Sequence, residues 1–192
     1  MHLAITSIET PLGRYWLVAG EHGLTHVLPE GAPTLPRTAQ APHGKAAQRV
    51  LAQACAAFAD YFAGSGSALA ALPLDPQGSD FRRRVWRALR EIPAGATAGY
   101  GEIARRIGRP GAARAVGGAN HHNPIAIAIP CHRVIGGDGR LVGYAGGLER
   151  KRWLLAHEAA CAAAQAASSK SKGPEGIRLA LARSRANAAA SI

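Results

Sequence analysis

The sequence predicts an α+β chain in two parts: a small sheet with a covering helix, then a mainly helical part built on a helix-turn-helix. Three observations predict it. The first 28 residues alternate short β-like apolar runs with turn signals, and an amphipathic helical stretch follows. A different texture begins at Asp80, where helical stretches are separated by Gly/Pro breaks. Charge divides at the same place: residues 1–80 carry a net −2, residues 81–158 a net +9 and residues 159–192 a net +4, out of +11 in all.

The first part reads in order. Leu3-Ala4-Ile5 is followed by the turn signal Thr10-Pro11-Leu12-Gly13 and by Tyr15-Trp16-Leu17-Val18, and Glu21-His22-Gly23 is a second turn before the run Leu24 to Leu28. These make two or three short strands. Residues 29–43 are rich in Pro and Gly and read as loop. From Lys45 to Phe62 the apolar positions Val50, Leu51, Ala54, Phe58, Tyr61 and Phe62 recur at helical spacing, so this helix can cover one face of the sheet. Gly64-Ser65-Gly66-Ser67 ends it, and residues 63–79 read as a linker.

The second part opens with Ser79 or Asp80 capping a helix whose inward stripe is Phe81, Val85, Leu89 and Ile92. Pro93-Ala94-Gly95 breaks it. Residues 100–107 form a short helix closed by Gly108 in a left-handed conformation, and residues 112–119 form another that is poor in bulky side chains. Two short helices across a tight Gly/Pro turn are the helix-turn-helix pattern. Ile125, Ile127 and Ile129 alternate with small residues and read as a buried strand, Gly136-Gly137-Asp138-Gly139 as a turn, and Leu148 to His157 as a last helix. Beyond Glu158 the composition predicts a basic, disordered tail, with a transient helix over 177–186.

Composition excludes several classes of function. At 192 residues, 47% hydrophobic and 18% charged, the chain can bury a core without staples and is not wholly disordered. Cys55, Cys131 and Cys161 are too few and too scattered for a disulfide framework, and no CxxC pair suggests a zinc site. The start carries no basic region followed by an apolar run, and no stretch approaches a membrane span, so a reduced cytoplasmic setting is expected. The basic second part favours a nucleic acid or an anionic surface as partner.

Cys131 is the candidate nucleophile. An unperturbed thiol is mostly protonated at neutral pH and needs a base or a nearby positive charge. His132 is adjacent, but neighbouring side chains on an extended chain point apart, so the pair works only across a helical turn or a bridging water. A carboxylate from Glu149 or Glu158 can fix the histidine's tautomer. Taken as a bare dipeptide, Cys-His is more simply an inert buried thiol beside a histidine.

The wider context points the other way. The run Pro130-Cys131-His132-Arg133-Val134-Ile135-Gly136 resembles the active-site signature of the O6-alkylguanine-DNA alkyltransferases, also called methylated-DNA–protein-cysteine methyltransferases. RRRVWRALREIPAGATAGYGEIA, ARAVGGA, NPIAIAIPCHRVIG and GYAGGLERKRWLLAHE stand in the family's order, so the resemblance is strong over about residues 72–158. Residues 1–71 match in size and pattern, and the tail 159–192 lies outside it. The resemblance implies a ribonuclease-H-like α/β domain over 1–71 and a winged-helix-like DNA-binding and active-site domain over 80–158.

The resemblance also implies an activity: irreversible, single-turnover transfer of an alkyl group from O6 of guanine in double-stranded DNA to Cys131, after the base is flipped into a pocket. O4-alkylthymine and the preferred adduct stay open. His132 would deprotonate Cys131 through a water, Glu158 would orient His132, and Asn123 would hold the active-site turn. Tyr100 would contact the flipped base, the carbonyls of Cys131 and Val134 would accept from its exocyclic amine, and Tyr144 and Ala145 would line the far wall. Some relatives carry Ser where this chain has Ala145, which loses a hydroxyl contact. Arg114 would fill the hole in the base stack, from a helix whose Ala115, Gly117 and Gly118 allow a close approach to the minor groove. No cofactor, metal or membrane is expected. A monomer is expected, with cooperative packing on DNA open.

Three other readings compete. A non-catalytic damage-binding relative would replace Cys131. A transcriptional regulator would carry polar base readers on its recognition helix, and AARAVGGA has almost none. A cysteine hydrolase would need an oxyanion hole.

Overall fold

The computed structural model describes residues 3–32 and 44–171. Strands β1 (Ala4–Thr10), β2 (Gly13–Ala19) and β3 (Leu24–Pro29) form an antiparallel meander in that order. Its first turn is held by the Thr10 hydroxyl, which donates to the Gly13 carbonyl at 2.6 Å. Helix α1 (Lys45–Phe62) lays Ala47, Val50, Leu51, Ala54, Phe58 and Tyr61 inward, the stripe its periodicity predicts.

The edge of β3 away from β2 is not left bare. Leu24 N donates to Pro73 O at 2.9 Å, and Asp75 N donates to Leu24 O at 2.7 Å. Further along, Val27 N donates to Pro124 O at 2.9 Å, and Ala126 N donates to Val27 O at 3.1 Å. One short segment from within the expected linker and one from the second half therefore pair with the same sheet edge. The stretch 63–79 differs accordingly from a free linker: it folds as turns, with Leu69 and Leu72 buried. Gly23 permits this crossing, because a Cβ there would sit 2.6 Å from Pro73 O.

The second half opens with α2 (Asp80–Arg90). Ser79 is the cap, its side chain accepting from Arg82 N. The two-residue β4 (Ala98–Gly99) precedes α3 (Tyr100–Arg106), and Gly108 closes that helix at φ 71°. Helix α4 (Ala113–His121) completes the helix-turn-helix, and buried Trp86 ties it to α2 through a 2.9 Å bond from Nε1 to Ala119 O. A 3₁₀ turn (Cys131–Arg133) leads into β5 (Val134–Ile135), which pairs parallel with β4.

Helix α5 (Leu148–Ser171) corrects the expected end of the fold. The last helix does not stop at His157, and residues 159–171 of the expected tail are helical. This stretch is Ala-rich, which favours helix, and it has something to pack on: a Cβ at Gly66 would lie 3.7 Å from Cys161 Cβ. Cys161 is accordingly buried, not an incidental thiol of a loose tail. The proposed helix over 177–186 lies outside the described residues. Buried side chains from both halves join in one apolar cluster. Among the described residues no helix is long and apolar enough to cross a membrane.

Candidate active site

The segment before Cys131 is a loop where a strand is expected. Ile125, Ile127 and Ile129 are all buried, which is what the alternation detects, but only Ile125 pairs with the sheet. The chain then folds back on itself, with Ile129 N donating to Ile125 O at 3.0 Å and Ile127 at φ 70°. That conformation costs a β-branched residue about 1–3 kcal/mol. Asn123 holds the loop from inside. Its Oδ1 accepts from Ile125 N at 3.0 Å, and its Nδ2 donates to Ile129 O at 2.8 Å and to Cys131 Sγ at 3.2 Å. The bond from Ile125 N fixes which end of the amide faces the sulfur.

Past Pro130 the 3₁₀ turn buries Cys131, His132 and Arg133 together. No bond between side chains joins Cys131 to His132. The imidazole turns instead to α5, with Nε2 2.9 Å from Glu158 Oε1, while Nδ1 is buried without a partner in the protein. A carboxylate at Nε2 selects the tautomer with its proton there, leaving the Nδ1 lone pair free. Glu158, not Glu149, fills this place; Glu149 is exposed and pairs with Arg152.

Glu158 is the most heavily bonded side chain of the site. Its Oε1 also accepts from the Tyr61 hydroxyl at 2.8 Å and from Arg133 Nη2 at 2.8 Å. Its Oε2 accepts from Arg133 Nε at 2.9 Å and from Gly95 N at 3.4 Å. Arg133 Nη1 continues to Ile92 O at 2.5 Å. Burial alone would raise the Glu158 pKa, but the bonds and charges of His132 and Arg133 outweigh it and hold the carboxyl well below its usual range.

The Cys131 thiol and the His132 imidazole are both neutral at rest. Burial pushes the Cys131 thiol up, only partly opposed by the Asn123 bond and the Lys151 charge. Burial likewise pushes His132 down, against the pull of Glu158. Lys151 is itself fully buried, and its ammonium donates to Val134 O at 2.6 Å and Val142 O at 2.8 Å.

Cys131 opens onto a cavity of about 470 Å³, with Tyr100, Gly117, Asn120, Tyr144 and Ala145 among its walls. A larger cleft of about 660 Å³ meets the same cysteine from the sheet side, past Tyr15 and His26. Tyr100, Tyr144 and Ala145 are thus brought to the nucleophile, with Gly117 at the helix edge of the cavity. Val134 is buried, and its carbonyl already accepts from Lys151. Arg114, Ala115 and Gly118 lie exposed on α4, outside the cavity. Arg84 and Arg87 on α2, Arg105 and Arg106 on α3, and Arg109 are exposed too. Among the described residues no group of three or more metal-ligating side chains gathers.

Sequence reasoning missed Tyr61, Arg133, Lys151 and Asn120 as parts of this site. Arg133 and Lys151 stand inside the quoted blocks, but Lys151 lies between Arg150 and Arg152 and reads as one more cation of a charged run. Asn120 is buried at the end of a small-residue helix, with neither amide atom bonded. Tyr61 carries no sequence signal, since its ring fits an ordinary amphipathic stripe.

Residues 80–160 match the family model described as the DNA binding domain of 6-O-methylguanine DNA methyltransferase, and residues 3–76 match that of its ribonuclease-like domain. The methylated-DNA–protein-cysteine methyltransferase of Mycolicibacterium paratuberculosis is 60% identical over 110 residues, covering 57% of this chain and 66% of the relative. The enzyme of the same name from Salmonella typhimurium is 58% identical over 100 residues, covering 52% and 58%. The aligned stretches therefore span 66% and 58% of these two relatives' own lengths. Among solved structures, Mycobacterium tuberculosis OGT in complex with DNA superposes with a TM-score of 0.70 at 42% identity, covering 84% of this chain and 94% of that one.

Proposed function

The chain belongs to the 6-O-methylguanine DNA methyltransferase family, and on that premise we propose that it repairs DNA by moving an alkyl group from O6 of guanine to Cys131, once per molecule. The observation that carries this reading is the arrangement Asn123–Cys131 and His132–Glu158: a neutral thiol held at 3.2 Å by an amide, beside a neutral imidazole whose free nitrogen is Nδ1.

The thiol proton passes to His132 Nδ1 through a bridging water. Sγ attacks the alkyl carbon in line with O6, the S–C bond forms as the C–O6 bond breaks, and that bond's electron pair leaves with O6. Guanine departs as its anion and is protonated by solvent. The imidazolium is stabilised by Glu158, which stays ionised. The thioether product has no leaving group, so turnover stops at one.

The exposed α4 face, with its small residues and Arg114, enters the minor groove of double-stranded DNA. Arg114 fills the gap left by the flipped base, and the arginines of α2 and α3 pair with phosphates. The base then occupies the cavity beside Tyr100, Tyr144 and Ala145, with the carbonyls of Cys131 and Val134 facing its exocyclic amine. The protein works as a cytoplasmic monomer.

Intact-protein mass spectrometry after mixing with a duplex bearing one O6-methylguanine tests this. A gain of one methyl, saturating at one per protein and absent in Cys131→Ala, is expected. No gain despite lesion-selective binding would make the protein a damage sensor with a dormant thiol. Arg114→Ala is expected to slow reaction with duplex more than with the free base, and equal losses would remove its intercalating role.

A further inference from the structure

The carboxylate that orients the base takes a donor from the half of the molecule that otherwise only packs. Tyr61 lies on α1, 97 positions before Glu158, and is fully buried. Its hydroxyl donates at 2.8 Å to Oε1, the oxygen that also holds His132 Nε2 at 2.9 Å. The ring is fixed on both sides, 5.1 Å from Phe62 and 5.2 Å from His157. We propose that Tyr61 is a positioning residue for the transfer reaction, sharing Glu158 Oε1 with His132 so that the carboxylate fixes the imidazole without making it strongly basic.

An acceptor oxygen bonded by three donors offers less negative charge to each. Without the phenol, Oε1 leans harder on His132 Nε2–H and stabilises the imidazolium, and His132 then protonates at higher pH. A protonated His132 has no lone pair at Nδ1 and cannot take the thiol proton. The phenol is a permanent donor, because burial beside Glu158 pushes its own pKa far up. The other groups facing this cluster are Arg133 and Cys131 on the turn, Lys151 and His157 on α5, and Tyr144 on the preceding loop. Removing one hydroxyl takes a charge from none of them.

The inference rests on the proposed alkyl transfer, so its test has two arms. Tyr61→Phe keeps the ring and removes the oxygen. In the first arm, single-turnover transfer to full-length protein is followed from pH 5 to 8. The acid limb of the rate profile is expected to move up by about half to one pH unit, which on that limb is a threefold to tenfold loss that shrinks as pH rises. In the second arm, the imidazole of His132 is titrated by NMR without any DNA, and its pKa is expected to rise in Tyr61→Phe. A site-specific 3,5-difluorotyrosine at position 61, a stronger donor, is expected to move both readouts the opposite way and serves if Tyr61→Phe fails to fold. An unchanged titration, or a loss of rate equal at every pH, overturns the role of Tyr61. Shifted titrations with no methyl gain in the unaltered protein would instead overturn the alkyl-transfer reading while leaving the coupling between Tyr61 and His132 in place.

Discussion

The two halves of the molecule divide the work unequally. The first 80 residues carry a net −2, form a sheet and one helix, and place one hydroxyl, that of Tyr61, on the Glu158 carboxylate. Residues 81–158 carry a net +9 and supply the proposed nucleophile Cys131 and base His132, the Glu158 carboxylate, the amide that holds the sulfur and an arginine-rich face. Chemistry that depends on a turn and its immediate flanks can be written in a contiguous stretch. The scaffold that keeps that turn buried is written as a diffuse apolar pattern. The two meet at the β3 edge, at Glu158, and where Tyr61 and Phe62 pack against Trp153 and His157.

Substitutions should separate the two kinds of contribution. The largest effect is expected from Glu158→Gln, which leaves Arg133 buried without its counter-ion and gives His132 a neutral partner. Transfer should fall about a hundredfold or more, as for loss of a working general base. Stability should fall by about 3–5 kcal/mol, read by denaturant unfolding. A variant that still reacts at the original rate would show that His132 needs no carboxylate. Asn123→Ala comes next: it leaves Ile125 N without its partner and Ile129 O with Cys131 N as its remaining donor, costing about 1–3 kcal/mol, and it slows transfer by freeing Sγ.

A change in the first half away from Tyr61 should act on stability alone. Gly23→Ala drives a methyl into the Pro73 carbonyl and should cost about 1–3 kcal/mol, while the folded fraction transfers at an unchanged rate. A slower rate from the folded fraction would mean that the β3 edge transmits strain through Val27 to the loop before Cys131. Smallest is Ser79→Ala at the α2 cap, about 0.5–1 kcal/mol, with no effect on chemistry.

Acid should act on both properties with definite signs. Glu158 has a folded pKa below its ordinary value, so its contribution to stability is complete above the unfolded value near 4.3 and is lost as pH falls toward the folded one. His132 has a lowered pKa, so the transfer rate should be level through neutrality and fall only below pH 6.5. A rate already falling between pH 8 and 7 would mean that some other group is the base.

Much of this was legible in the sequence. The bounds of α1 follow from the spacing of Val50, Leu51, Ala54 and Phe58, and Gly108 and Ser79 mark helix ends because few residues do their jobs. The strand expected over 125–129 is absent because alternation reports burial, not direction. Asn123, bonding at both ends of the loop, and the bond from Ile129 N back to Ile125 O turn the chain at Ile127, and that is a three-dimensional fact. The helix beyond Glu158 was hidden because alanine-rich composition reads as unpatterned until Gly66 and Gly95 offer surfaces close enough for small side chains. Tyr61 was illegible for the same reason: a tyrosine on an apolar stripe is ordinary, and its partner lies almost a hundred positions away.

Glu158 collects its donors from α1, the loop after α2, the 3₁₀ turn and, by its own position, α5. A chain being synthesised from its N-terminus therefore holds Cys131 and His132 well before it holds the residue that sets the histidine's tautomer. A protein that reacts once has no means of recovering a thiol spent too early. Assembly of the site from its most distant parts delays competence until nearly the whole described fold exists, so the one reaction is kept for a finished molecule.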